Sequence, residues 1–374
     1  MRILQVCHHF HPCIGGMEKY VEDLCTHLVN RGHVSDVVCL NTCAKSRERL
    51  PSGEVYQEAG IRKRIKITRL PYLDLFFYKV APGVLRRLEG YDVVHVHGMG
   101  FFSDFLALTG FFHRKPLILS THGGIFHTRR LAWLKKAYFG LWGRLVLRRF
   151  RRVIAISKSD EALFSKICRV TYVPVGINVG EFSWAGEGGV EKEENSLLFV
   201  GRISRNKRID RMIETVYFLK EKVPGVRLYV LGEDWEGLLR DLKKTVRDRG
   251  LEENVFFEGA VEDREKLVSH YRRSQVFVSA SEYEGFGISV LEAMAAGTTV
   301  AVSDIPAFRN FIRPGENGFL LDYSRPREAA ERLASLLSRD MPRVRAEARR
   351  TAEEYDWSRV AEKIEKIYRD SLII

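Results

Sequence analysis

Glu284-Gly285-Phe286-Gly287-Ile288-Ser289-Val290-Leu291-Glu292-Ala293-Met294-Ala295-Ala296-Gly297 sets two glutamates, with seven residues between them, around a glycine-rich turn. Ile288, Leu291 and Ala295 recur at helical spacing, and Gly297 stands where a helix stops. The pattern predicts a loop that opens a helix, with Glu284 in the loop and Glu292 on the helix. Glycines let backbone N–H groups approach a ligand at a helix N-terminus, which favours phosphate. An ionised carboxylate only accepts hydrogen bonds, so each glutamate suits sugar hydroxyls. One loop thus offers a phosphate seat and two hydroxyl acceptors, the inventory needed to hold a nucleotide-sugar.

Around this stretch, short apolar strands alternate with helical patterns. Ile3–Cys7, Asp36–Leu40, Val93–His97, Leu117–Ser120, Val153–Ile156 and Val170–Pro174 read as buried strands in the first half. Leu197–Val200, Leu228–Leu231, Val255–Phe257, Val276–Ser279, Thr299–Val302 and Phe319–Leu321 read so in the second. Alternation of this kind implies α/β architecture with parallel sheets wound on both faces, binding ligands beyond the carboxyl ends of their strands. The expected layout is a Rossmann-like domain over 1–178, a linker over 179–195 where Gly and Glu accumulate, and a second such domain over 196–356. Trp357 to Leu372 reads as a final helix.

The chain's 374 residues suffice for two domains, and 45% hydrophobic with 29% charged suits sizeable cores. No run of about 18 apolar residues predicts a membrane span. The N-terminus enters a strand pattern at once, without a signal-peptide layout, so a cytoplasmic protein is expected. The six cysteines form no C-x-x-C pair, and reduced thiols are the expectation. Cys7-His8-His9-Phe10-His11-Pro12-Cys13 fits no common zinc spacing and reads as a polar loop, so no metal is expected.

Net charge is +12, and it is concentrated. From Phe105 to Ser159 there is no Asp or Glu but there are twelve Lys and Arg. Such a surface attracts nucleic acid, acidic polymers or anionic lipid. The window lacks a nucleic-acid motif, so no nucleic acid is expected. Leu131, Leu134, Tyr138, Leu141, Trp142 and Leu145 recur at helical spacing as a core face, with Trp133, Phe139 and Leu147 on other sides. With Lys136, Arg144, Arg148 and Arg152 beside them, residues 129–152 have the composition of an interfacial helix on an anionic membrane.

The Glu284–Glu292 stretch resembles the E-x7-E signature of retaining GT-B glycosyltransferases, the group classed as family four. Gly15-Gly16-Met17-Glu18 is similar to that family's N-terminal glycine loop, and Thr121-His122-Gly123 to its histidine motif. Gly201-Arg202 followed by Lys207 is similar to its diphosphate clamp. The matches occur in the family's order and span nearly the whole chain.

The resemblance implies two Rossmann-like domains facing each other across a cleft, acceptor first and donor second, with the final helix returning to the first domain. It implies transfer of a sugar from a nucleoside-diphosphate-sugar to an acceptor hydroxyl with retained anomeric configuration. No cofactor or metal is required. Arg202 and Lys207 would hold the leaving diphosphate. Glu284 would contact the donor sugar, with Glu282 a near competitor for that role, and Glu292 the ribose hydroxyls. His122 would lie near the reacting sugar. Gly16, Gly232, Gly259, Gly285, Phe286, Gly287 and Ile288 would line the donor. Uridine, guanosine and adenosine donors all occur in the family, and the acceptor is a lipid-linked or soluble glycan. The family often has Asn where this chain has Val175, which weakens the case for acceptor contacts in that turn. A peripheral place on the inner membrane face fits the basic window. The alternatives are a nucleotide-sugar epimerase of the same fold, a phosphorylase carrying pyridoxal phosphate, and a basic nucleic-acid-binding protein.

Overall fold

A computed structural model describes all residues except 14, 44–48, 59–63, 76–77, 123–139, 141, 184–190, 262 and 374, together with the side chain of Glu58. The chain divides into two compact units, Met1–Gly176 with Trp357–Ile374, and Ile177–Asp356.

The first unit holds β1 (Arg2–Val6), β2 (Val34–Leu40), β3 (Gly53–Glu58), β4 (Arg64–Leu70), β5 (Leu73–Leu75), β6 (Tyr78–Val80), β7 (Val93–His97), β8 (Leu117–Ser120), β9 (Arg152–Ala155) and β10 (Val170–Tyr172). Its main sheet runs β10-β9-β8-β7-β1-β2-β4-β3. Every neighbour is parallel except β3, which pairs antiparallel to β4 and closes one edge. A central parallel sheet is covered on both faces, which is why β1, β2 and β7 are near-continuous apolar runs rather than alternating ones. The helix Gly16–Asn30 covers one face through Tyr20, Val21, Leu24, Cys25 and Leu28. The final helix, Trp357–Leu372, packs on it.

The second unit holds β11 (Glu193–Val200), β12 (Arg227–Leu231), β13 (Val255–Gly259), β14 (Ser274–Ser279), β15 (Thr299–Ser303) and β16 (Phe319–Leu321). The order β13-β12-β11-β14-β15-β16 is wholly parallel. Counted within the unit this is 3-2-1-4-5-6, the doubly wound order whose reversal point lies between the first and fourth strands. In the first unit the reversal falls between β1 and β7, in the second between β11 and β14. Each unit is a Rossmann-like domain.

Several expectations need correction. The linker expected over 179–195 is shorter: Val179–Phe182 is a helix of the second unit, and β11 already begins at Glu193. Cys13 and Cys43 form a disulfide, against the expectation of reduced thiols throughout. The loops after β1 and β2 come together because those strands are parallel neighbours, a proximity that a sequence separation of 30 does not announce. β3, β4 and the β5–β6 hairpin were not anticipated, because 53–80 is polar and lacks a clean period. The helix expected around residues 131–141 lies outside the described residues apart from Gly140. In its described continuation, Gly143–Leu147, the facing is reversed: Val146 and Leu147 are buried, while Trp142 and Leu145 are exposed.

Candidate functional site

The loops leaving β11 and β14 flank the reversal point of the second sheet, and Arg202, Lys207 and Glu284 lie on them. Ser204–Arg208 forms a tight turn, Lys207 N–H donating to the Ser204 carbonyl. The two loops are stitched together: Asn206 Nδ2 donates to the Tyr283 carbonyl at 2.7 Å, and Glu282 N–H donates to the Asn206 carbonyl. This brings Lys207 Nζ to 2.5 Å from Glu284 Oε1, both side chains mostly shielded at 13% and 15% exposure. Ser281 Oγ donates to the same oxygen at 2.8 Å. Glu282 points elsewhere, into an exposed pairing with Arg208 and Arg211. Of the two acids, Glu284 is the shielded one and Glu282 the exposed one.

Arg202 is exposed and lies 4.6 Å over the Trp235 ring. Among the described residues no carboxylate pairs with it. Stacking on an aromatic face orients a guanidinium while leaving its edge N–H donors for an anion. The loop after β12 carries Trp235, and Ile203–Asp234 pairing joins it to the Arg202 loop. A Cβ on Gly232 (φ 148°) would collide with the Gly201 carbonyl oxygen, so this close approach requires glycine. Gly232 N–H is already donated to the Gly259 carbonyl. Its requirement for glycine is therefore explained by packing between the loops, without a nucleotide.

Gly287 (φ 105°) is the N-cap of the helix Ile288–Ala295, and no side chain caps that end. Its left-handed backbone and the nearness of the Phe308 ring both exclude a Cβ. The helix N-terminus is thus left without a side-chain cap beside Gly285, which is open on its Cβ side, an arrangement that favours an anion. The Phe286 ring turns inward onto Phe311 and Tyr355, which leaves its backbone for a ligand, while the Ile288 side chain is exposed.

Glu292, on the second turn of that helix, accepts from Tyr271 OH at 2.9 Å and lies 3.4 Å from Arg264 Nη2. Burial raises its carboxyl pKa above the ordinary value, against the pull of Arg264 and Tyr271. Arg264 is held in turn by Glu181 at 2.7 Å and lies over the Phe182 ring. Tyr271, Arg264 and the segment 179–182 are supporting residues that no local sequence signal reveals.

In the first unit His122 follows β8 with φ 44° and is half-buried. Its Nε2 lies 3.0 Å from His97 Nδ1, and His97 Nε2 lies 2.8 Å from Gln5 Oε1. Gln5 Nε2 donates to Ser35, so Gln5 Oε1 accepts from His97 Nε2–H. His97 Nδ1 is then an acceptor, and His122 carries its proton on Nε2. Burial lowers the His122 pKa to about 3, which keeps it neutral. The Tyr20 ring meets His122 edge-on at 4.7 Å. His95, bonded to Tyr368 and Ser120, and His97 are wholly buried. Gly16 opens its helix with free space at its Cβ position, and the Glu18 side chain folds back over Gly15. Val175 is buried, as an apolar residue in place of Asn requires. Gly123 lies outside the described residues.

Residues 14–181 match the family described as Glycosyltransferase Family 4, and residues 182–356 that described as Glycosyl transferases group 1. The chain is 33% identical to the GDP-mannose:cellobiosyl-diphosphopolyprenol alpha-mannosyltransferase of Xanthomonas campestris, over 96% of this chain and 94% of that one. The chain belongs to the family 4 glycosyltransferases. The enzyme is also 27% identical to the phosphatidyl-myo-inositol mannosyltransferase of Mycobacterium tuberculosis, over 98% and 96% of the two chains. Among solved structures, the Anabaena protein HepE in complex with UDP superposes with a TM-score of 0.75 over 99% of this chain and 100% of that one, at 18% identity, a likeness of fold. None of these three relatives carries the epimerase, phosphorylase or nucleic-acid reading.

Proposed function

We propose that this glycosyltransferase moves mannose from GDP-mannose to a hydroxyl of a lipid-linked glycan, retaining the anomeric configuration, at the cytoplasmic face of a membrane. The supporting observation is the 33% identity, over nearly the full length of both chains, to an enzyme named for that donor and for a diphosphopolyprenol-linked acceptor.

The donor diphosphate sits against Arg202, Lys207 and the uncapped N-terminus of the helix Ile288–Ala295. Departure of that diphosphate is the electrostatic problem of sugar transfer, and two cations with a helix N-terminus answer it without a metal. Glu292 accepts from the ribose hydroxyls and Glu284 from the donor sugar. No carboxylate serves as a nucleophile in this scheme. The acceptor hydroxyl attacks the face that the diphosphate leaves, and a diphosphate oxygen takes its proton. His122, neutral, binds a hydroxyl near the reacting carbon, and Gly16 allows backbone approach to the donor phosphate.

Thermal melting with GDP-mannose, UDP-glucose and ADP-glucose tests the donor, since a ligand of the native state raises its stability. GDP-mannose is expected to raise Tm most. Stabilisation by a uridine donor alone overturns the donor assignment. Labelled mannose recovered in the lipid extract, with an alpha linkage by NMR, is the expected product. Conversion of donor without acceptor would favour the epimerase.

A further inference from the structure

Phe111 and Phe112 are 78% and 80% exposed, far more than core-forming residues of a globular chain. They are not on a slack loop. They sit on the helix Gly110–His113, which continues the helix Phe101–Leu108 through a tightly bonded turn. Thr109 Oγ1 donates to the Phe105 carbonyl, and His113 Nε2 bonds the Leu106 carbonyl at 2.9 Å. Lys115 N–H donates to His113 Nδ1, and Lys115 Nζ to the Tyr91 carbonyl at 2.8 Å. Arg114, in the left-handed region, ends the turn. The fold thus holds two aromatic rings, centroids 5.8 Å apart, out in water. Leu108 and Leu145 extend the apolar surface, the helix Gly143–Leu147 packing on Phe101–Leu108.

The surroundings are cationic. Arg114, Arg144, Arg148, Arg149 and Arg151 are exposed, and among the described residues none pairs with a carboxylate. Arg151 N–H donates to the Leu117 carbonyl, so Arg149–Arg151 and Arg114–Lys115 share the edge where β8 and β9 begin. Rigid exposed aromatic rings with exposed arginines on the neighbouring elements match the apolar interior and anionic headgroups of a bilayer.

We infer that Phe111 and Phe112, with the arginines around them, form the foot on which this chain sits on an anionic lipid bilayer. The foot lies at the described ends of the basic window. The foot lies where β8 begins, and His122 lies past where it ends, about 13 Å along a strand of this length. The foot therefore docks the enzyme and does not thread lipid into the site. The inference deepens the lipid-linked acceptor reading and rests on it only for its purpose.

The test is sedimentation of the full chain with vesicles of phosphatidylglycerol and phosphatidylcholine, and of phosphatidylcholine alone, with neither donor nor acceptor present. Binding to the anionic vesicles is expected at low salt and is expected to weaken at high salt. Phe111→Ser with Phe112→Ser should cut the partition at least about tenfold, as lost burial of two rings requires. Phe111→Leu with Phe112→Leu should retain it. Unchanged melting temperatures exclude misfolding as the cause. Failure of the wild type to bind, or undiminished binding of the serine pair, overturns the inference. So does loss of self-association in the serine pair without any vesicle binding by the wild type, which would assign the patch to a second copy. Transfer to a lipid-linked acceptor in detergent is a separate readout, so either reading can fail alone.

Discussion

Lys207 Nζ stands 2.5 Å from Glu284 Oε1, a cation from the loop after β11 held by a carboxylate from the loop after β14. The carboxylate holds the partly shielded ammonium in place between the two loops. A donor diphosphate offers that ammonium a second anionic partner. The pair is a structural bridge between the loops, and in the proposed reaction it acts as a preorganised clamp.

Lys207→Ala and Glu284→Gln should each leave a folded protein and remove most transfer. Losing a cation opposite a developing diphosphate charge costs about 3 kcal/mol, or roughly a hundredfold in rate. Circular dichroism and transfer rates measured on the same preparations check this. Near-wild-type rates in either folded variant would refute the clamp.

The clamp shows what the sequence discloses and what it withholds. Arg202, Lys207 and Glu284 were legible because each follows an apolar strand and sits in a glycine-marked loop. The strands themselves were legible because burial on both faces writes continuous apolar runs. Tyr271 and Arg264 were not legible. They reach Glu292 by tertiary packing across 21 and 28 residues, and nothing local marks them. The Cys13–Cys43 pairing and the β3–β4 edge were hidden for the same reason: both depend on which loops and strands become neighbours. Phe286 read as a ligand contact by its place in the motif, while its ring is committed to the core.

Two glycines separate binding from folding. Gly16→Ala meets no neighbouring atom, so its melting temperature should stay at the wild-type value or rise slightly, and any loss should be in donor affinity. Gly232→Ala meets the Gly201 carbonyl and a positive φ, so it should lose about 2 kcal/mol or more and melt several degrees lower. Melting curves with and without donor distinguish the two. A Gly16→Ala enzyme with full donor affinity would remove Gly16 from the donor site.

His122 should show no titration between pH 5 and 8, because burial lowers its pKa to about 3. Nitrogen-15 NMR should report a neutral ring protonated on Nε2 throughout. His97→Phe removes the acceptor that fixes this tautomer. It should lower kcat by about a hundredfold through misplacement while leaving the KM for donor nearly unchanged. A titrating His122 in the wild type, or an unaffected kcat in His97→Phe, would separate the histidine pair from catalysis.

In the proposed reaction Glu292 should carry the pH dependence of donor binding. Burial raises its pKa above the ordinary carboxyl value, which is about 4.3 for an exposed glutamate. As pH falls through that raised value the group gains a proton and loses acceptor capacity for the ribose hydroxyls. Donor affinity should therefore decline at a pH above the ordinary carboxyl range. Stability should move the other way. The native state holds this proton more tightly than the unfolded chain, so between the ordinary and the raised pKa the contribution of Glu292 favours folding as pH falls and is lost as pH rises. Glu292→Gln should flatten both dependences and weaken donor binding across the whole range. Calorimetric titration of donor and thermal melting over the same pH series measure the two signs independently. Donor affinity that is pH-independent in the wild type, or equally pH-dependent in Glu292→Gln, would place the ribose contact on another residue.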